Sequence, residues 1–190
     1  MTAPRIPVVG GLAGGVGTST VARALRARDA GVVTGTDLLP DVLLCRDTVS
    51  GLARAARVAP RPAAGAPVLA LHPGSADPDG IDAAAAGPGW AAVVALPAVP
   101  GWARSADPWA DAATVLGGRS GEPRTGDPAA LRRYAEALDR IVAALTGGGR
   151  LTRPLAPAGA GPLRPIRGVR TGLPPRLTAP DGPWPAGTPC

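Results

Sequence analysis

The stretch Val8-Val9-Gly10-Gly11-Leu12-Ala13-Gly14-Gly15-Val16-Gly17-Thr18-Ser19-Thr20 runs from an apolar segment through a glycine-rich turn into a segment opened by small hydroxyl residues. A strand, a tight turn and a helix in that order aim the backbone N–H groups of the turn and of the helix start at one place, which makes an anion site without any side chain. The lysine that usually accompanies such a loop is missing, and the chain contains no lysine at all. The stretch therefore sets an α/β fold and leaves the ligand to be decided by its neighbours.

Working outward, short apolar runs bounded by Gly, Pro and Asp alternate with helical patterns. That alternation predicts a small doubly wound, mostly parallel sheet with helices on both faces. The predicted strands are Ile6 to Val9, Gly31 to Thr34, Val42 to Cys45, Pro67 to Leu71 and Ala91 to Leu96. Each is continuously apolar rather than alternating, as strands are when both faces are covered. Helices are predicted from Ser19 to Arg28 and from Thr48 to Val58, the second with Asp47 as its N-cap.

The final helix has the strongest local signals. Asp127 suits the N-cap and Pro128 the first helical position, while Leu131, Tyr134, Ala135, Leu138, Ile141, Val142 and Leu145 recur at three- and four-residue steps before Gly147. Arg132, Glu136 and Arg140 fall on the opposite, solvated face. Between Pro97 and Pro128 the pattern is irregular, and Trp102 and Trp109 are expected to cover one edge of the sheet.

At 190 residues the chain fits one ordinary domain with an extension. It has 27 glycines and 24 prolines and no Lys, Asn, Gln or Phe. This is the bias of GC-rich coding DNA, so its formal charge of +6 is a weak argument for a nucleic-acid partner. From Gly148 onward, six arginines (Arg150, Arg153, Arg164, Arg167, Arg170 and Arg176) against Asp181 give +5 of that +6. Periodicity ends there and Pro and Gly alternate with Arg, a composition that buries too little apolar surface to order itself. The expected organisation is a folded domain over 1–147 and a flexible basic tail over 148–190. In that tail Trp184, between Pro183 and Pro185, is a candidate anchor for a protein partner.

Cys45 lies in an apolar run and reads as a small buried hydrophobe, with no disulfide framework. His72 is the single histidine and has no neighbouring ligand for a metal, so it reads as a surface residue. Asp77 and Asp79 flank Pro78 and read as turn formers. No cleavable leader pattern and no run of about 20 apolar residues is present, which makes the cytoplasm the expected location.

The loop resembles the deviant Walker A motif of the ParA/MinD family of ATPases, Lys-Gly-Gly-Val-Gly-Lys followed by two hydroxyl residues. Gly14, Gly15, Val16, Gly17, Ser19 and Thr20 match it, while Ala13 and Thr18 replace the two lysines. The resemblance implies ATP or ADP with Mg²⁺, held by the backbone of Gly14, Gly15, Val16, Gly17, Thr18, Ser19 and Thr20, with the Ser19 hydroxyl on the metal. Downstream, Asp41 to Cys45 and the helix opening near Thr48 resemble the family's strand and helix after Walker B. Gly31 to Thr34 would then be the Walker B strand, with Thr34 in place of its aspartate. Loss of the lysine removes a contact worth roughly 1.5–3 kcal/mol. Without the carboxylate as well, hydrolysis lacks its electrostatic support, so the resemblance implies a pseudo-ATPase with a regulatory or scaffolding role and no catalytic residues.

Two other readings stay open at this point. Gly11 to Gly17 also resembles the Gly-x-x-x-Gly-x-Gly loop of short-chain dehydrogenases, with Asp37 about 20 residues on as the ribose-binding carboxylate of an NAD(P) site. That family's Tyr-x-x-x-Lys is missing, since Tyr134 is followed four residues later by Leu138. The third reading is a glycine turn that connects a strand to a helix and binds nothing.

Overall fold

The computed structural model describes residues 4–34, 39–60, 65–74, 83–116 and 127–152. All of these fall within one compact unit, Met1–Ala158. Among them five parallel strands, β1 (Val8–Gly11), β2 (Arg28–Val32), β3 (Val42–Arg46), β4 (Val68–His72) and β5 (Ala92–Ala95), form a single sheet in the order β2-β1-β3-β4-β5. Helices α1 (Thr18–Ala24), α2 (Val49–Val58), α3 (Pro108–Thr114) and α4 (Pro128–Gly147) complete the fold.

The apolar runs divide by parity between two cores. Val42 and Leu44 of β3 and Val68 and Ala70 of β4 join Val21 of α1, Ala112 of α3 and Leu138 and Ile141 of α4 on one face. Leu43, Cys45, Leu69 and Leu71 face the other way, toward Leu52 and Ala55 of α2. Successive side chains of a strand point to opposite faces, so unbroken apolar strands need helices on both. The sheet therefore has the two-sided α/β architecture that the sequence indicates.

Helix α4 begins at Pro128 after Asp127, whose carboxylate accepts the Ala129 N–H at 2.8 Å. Tyr134, Leu138, Ile141 and Leu145 are buried. Val142 is 39% exposed, at the margin of the stripe rather than inside it. Part of the irregular region is also helical: Asp107 caps α3 through the Ala110 N–H at 2.9 Å. Trp102 packs edge-on against Tyr134, ring centroids 4.8 Å apart, whereas Trp109 is exposed.

The amino end of the sheet is closed by an ion cluster. Asp41, fully buried, accepts hydrogen bonds from Arg5 at 2.5 and 2.7 Å, from Arg150 Nε at 2.7 Å and from the Val8 N–H at 2.8 Å. Arg150 also donates to the carbonyls of Leu39, Pro40 and Gly65. The folded part thus continues past Gly148 through a short 3-10 turn, Arg150–Thr152. Arg150, assigned to a flexible tail from composition, is a structural residue. Residues 153–190, which hold Trp184 and the remaining tail arginines, lie outside the described residues.

Candidate functional site: the glycine loop and the carboxyl ends of β3 and β4

The chain passes from β1 to β2 on one side and then crosses to β3 on the other, so the strand order reverses between β1 and β3. Parallel α/β sheets bind ligands in the crevice outside the carboxyl ends of the strands at such a reversal. The glycine loop leaves β1 at this place. Its first residue is tied down by the Leu12 N–H donating to Leu44 of β3 at 2.8 Å.

The loop adopts a backbone that its sequence permits and few others would. Gly15 (φ +70°) and Gly17 (φ +84°) lie in the left-handed region, with Val16 between them at negative φ and buried. Alternation of this kind turns successive N–H groups toward one concavity. Among the described residues the backbone N–H groups of Gly14, Gly15 and Gly17, and of Thr18, Ser19 and Thr20 in the first turn of α1, have no acceptor in the protein, while Gly14 and Gly15 lie in a hydrogen-bonded turn that Val16 closes. The residues expected to hold phosphate are therefore contiguous in space, Gly14 to Gly17 in the turn and Thr18 to Thr20 in the first turn of α1.

The hydroxyls are placed differently from one another. A Cβ on Gly11 would collide with the Thr18 hydroxyl, so Thr18 folds back over the end of β1. Ser19, the expected Mg²⁺ ligand, donates to Asp29 Oδ2 of β2 at 2.6 Å. Asp29 is a carboxylate beside the loop that the sequence reading missed. Its other oxygen accepts the Gly31 N–H at 2.8 Å. Strand β2 is exposed along its whole length and both begins and ends earlier than expected, Arg28–Val32 instead of Gly31 to Thr34. Thr34, expected at the Walker B position, falls after the strand.

Two more side chains meet the loop. Arg46, the last residue of β3, donates from Nη2 to the Gly15 carbonyl at 3.1 Å. His72, the last residue of β4, packs on Gly17 so closely that a Cβ there would stand 2.9 Å from His72 Cδ2. Arg46 and His72 are register partners on adjacent strands, and both point to the face on which the loop sits. His72 is half-buried rather than a surface residue. Burial, together with the positive charge of Arg46, lowers its pKa below the ordinary 6.5, against the opposing pull of the Pro73 carbonyl and Asp47. Both effects favour the neutral ring.

Asp47 does not cap α2 as expected. Its carboxylate accepts the Gly74 N–H, joining the ends of β3 and β4, and its N–H donates to the His72 carbonyl at 3.0 Å. Thr48 is the cap, accepting the Gly51 N–H at 3.1 Å. Cys45, one residue before Arg46, is buried, and desolvation pushes its thiol up to about 11, which leaves it an unreactive apolar side chain.

Asp37, the candidate ribose ligand, and Asp77 and Asp79 lie outside the described residues. Among the described residues no group of three or more His, Cys, Asp or Glu side chains is gathered for a metal, and no helix is long and apolar enough to cross a membrane. Comparison of the chain with family models, with curated proteins and with solved structures gives no match.

Proposed function

We propose that the chain is a non-catalytic, ParA/MinD-like pseudo-ATPase that holds the phosphates of ATP or ADP on its glycine loop and acts as a regulatory or scaffolding component, with the segment beyond Thr152 as its partner-binding element. The observation that carries the proposal is the loop itself: the N–H groups of Gly14, Gly15 and Gly17 and of the first turn of α1 have no acceptor in the protein, at the carboxyl end of β1, beside the strand-order reversal. Ser19 and Asp29, hydrogen-bonded to each other, are the residues that would hold a Mg²⁺ accompanying the nucleotide.

Hydrolysis is not part of the proposal. Phosphoryl transfer needs positive charge on the transferring group and a residue that orients the attacking water. Thr18 supplies no charge where the family has its lysine. Phosphate contacts that are equally strong in the ground state and the transition state give binding without acceleration. Purified protein with ATP and Mg²⁺ should release phosphate no faster than a no-protein control. Mg²⁺-dependent turnover that disappears in Ser19→Ala would contradict the proposal.

A further inference from the structure

We infer that Arg46 and His72 form the cationic wall of the phosphate site, taking one oxyanion of the bound nucleotide between themselves and the loop of Gly14 to Thr20. The inference deepens the phosphate-binding reading above and rests on it. A chain without lysine must find its countercharge elsewhere, and in the fold an arginine and a histidine from two different strands converge on the same turn.

Three observations carry it. Arg46 and His72 are paired across β3 and β4 at the strand ends, on the face where the loop lies, and each touches a different left-handed glycine. Arg46 forms no ion pair among the described residues, although it stands beside a second group that can become cationic. The carboxylate that follows it in the chain, Asp47, is held by the Gly74 N–H. Finally, the contact with the Gly15 carbonyl occupies one of the five guanidinium N–H groups, leaving the fork able to grip an oxyanion. Helix α1 has only seven residues and adds little to this.

The charge arrangement has a consequence for pH. The groups facing His72 are Arg46 and Asp47 from the end of β3, the Pro73 carbonyl on its own strand end and the uncharged Gly17 of the loop. Arg46 disfavours the imidazolium. A bound dianion reverses that balance, so binding should draw a proton onto His72 and tighten as pH falls.

Sulfate is the cleanest probe, because it remains a dianion from pH 5.5 to 8, and the single histidine gives an unambiguous NMR signal. Sulfate and ATP should each raise the pKa of His72 in the full-length protein, and sulfate affinity should increase across that range as pH falls. His72→Gln should bind sulfate with no such pH dependence. Arg46→Ala should weaken ATP and sulfate about tenfold to a hundredfold, the loss of one charge-assisted contact, and Arg46→Lys should restore part of it. Inorganic phosphate binding as tightly as ATP would assign the site to the free ion and overturn the nucleotide part of the inference. If ATP and sulfate shift the amide signals of Gly15 and Gly17 but not His72, and Arg46→Ala binds normally, the cationic wall is wrong while the loop site stands. If no probe moves any of these signals, both fall together.

Discussion

Replacing Asp41 by alanine should destabilise the domain by about 3–5 kcal/mol, the cost of removing one partner from a buried ion cluster. Asp41 is fully buried at the entrance to β3, where it accepts four hydrogen bonds, two from Arg5, one from Arg150 and one from the Val8 N–H. Alanine would leave two guanidinium groups facing each other and the amino end of β1 without its acceptor. Burial works against the ionised carboxylate, but the hydrogen bonds and charges of Arg5 and Arg150, with the Val8 N–H, outweigh it and hold the pKa below its usual value. A depressed carboxylate contributes stability that is present above its unfolded pKa, about 3.9, and is lost as pH falls through the folded value. Urea denaturation should show the large loss at pH 7 and a smaller difference from the native protein near pH 2. A loss below about 1 kcal/mol at pH 7 would mean that the cluster is peripheral to stability.

Gly17→Val should cost at least about 1–3 kcal/mol, and it should do so without any ligand. Two costs coincide at this position. A β-branched residue is forced to φ +84°, and its Cβ is driven against His72, 2.9 Å from Cδ2. Gly14 is the matched control: its φ is not in the left-handed region and a Cβ there meets nothing within 4 Å. Gly14→Ala should therefore melt near the native temperature while Gly17→Val melts well below it. Equal melting temperatures for the two variants would show that the loop does not hold the described conformation.

How much of this could be read from the chain depends on whether the cause is local. Strands β3 and β4 and helix α4 were legible because their determinants are adjacent in sequence: unbroken apolar runs, and Asp127-Pro128 followed by a stripe at helical spacing. Strand β2 was misplaced because Arg28-Asp29-Ala30-Gly31-Val32 is exposed throughout and is held in the sheet by pairing with β1, for which it carries no periodic signal. Asp47 precedes α2 and suits its N-cap by residue type, but its carboxylate is claimed by Gly74, 27 residues away, and Thr48 caps the helix instead.

The candidate site divides in the same way. The glycine loop could be read residue by residue, and two of its glycines, Gly15 and Gly17, take the left-handed backbone that glycine allows. Asp29, Arg46 and His72 could not, since the register of a parallel sheet brings them to the loop from three other strands. A signal did exist for two of them. Val42-Leu43-Leu44-Cys45-Arg46 and Val68-Leu69-Ala70-Leu71-His72 are apolar strands that each end on a cationic or titratable residue, at the end of the sheet where ligands bind.

Isothermal titration calorimetry of the full-length protein with ATP, ADP and NAD, with and without Mg²⁺, tests the central claim most directly. The account predicts saturable one-site binding of ATP and ADP, weakened in Arg46→Ala, with the ATP recovered intact after the titration. No heat of binding for either nucleotide at millimolar concentration, or binding of NAD alone, would contradict it.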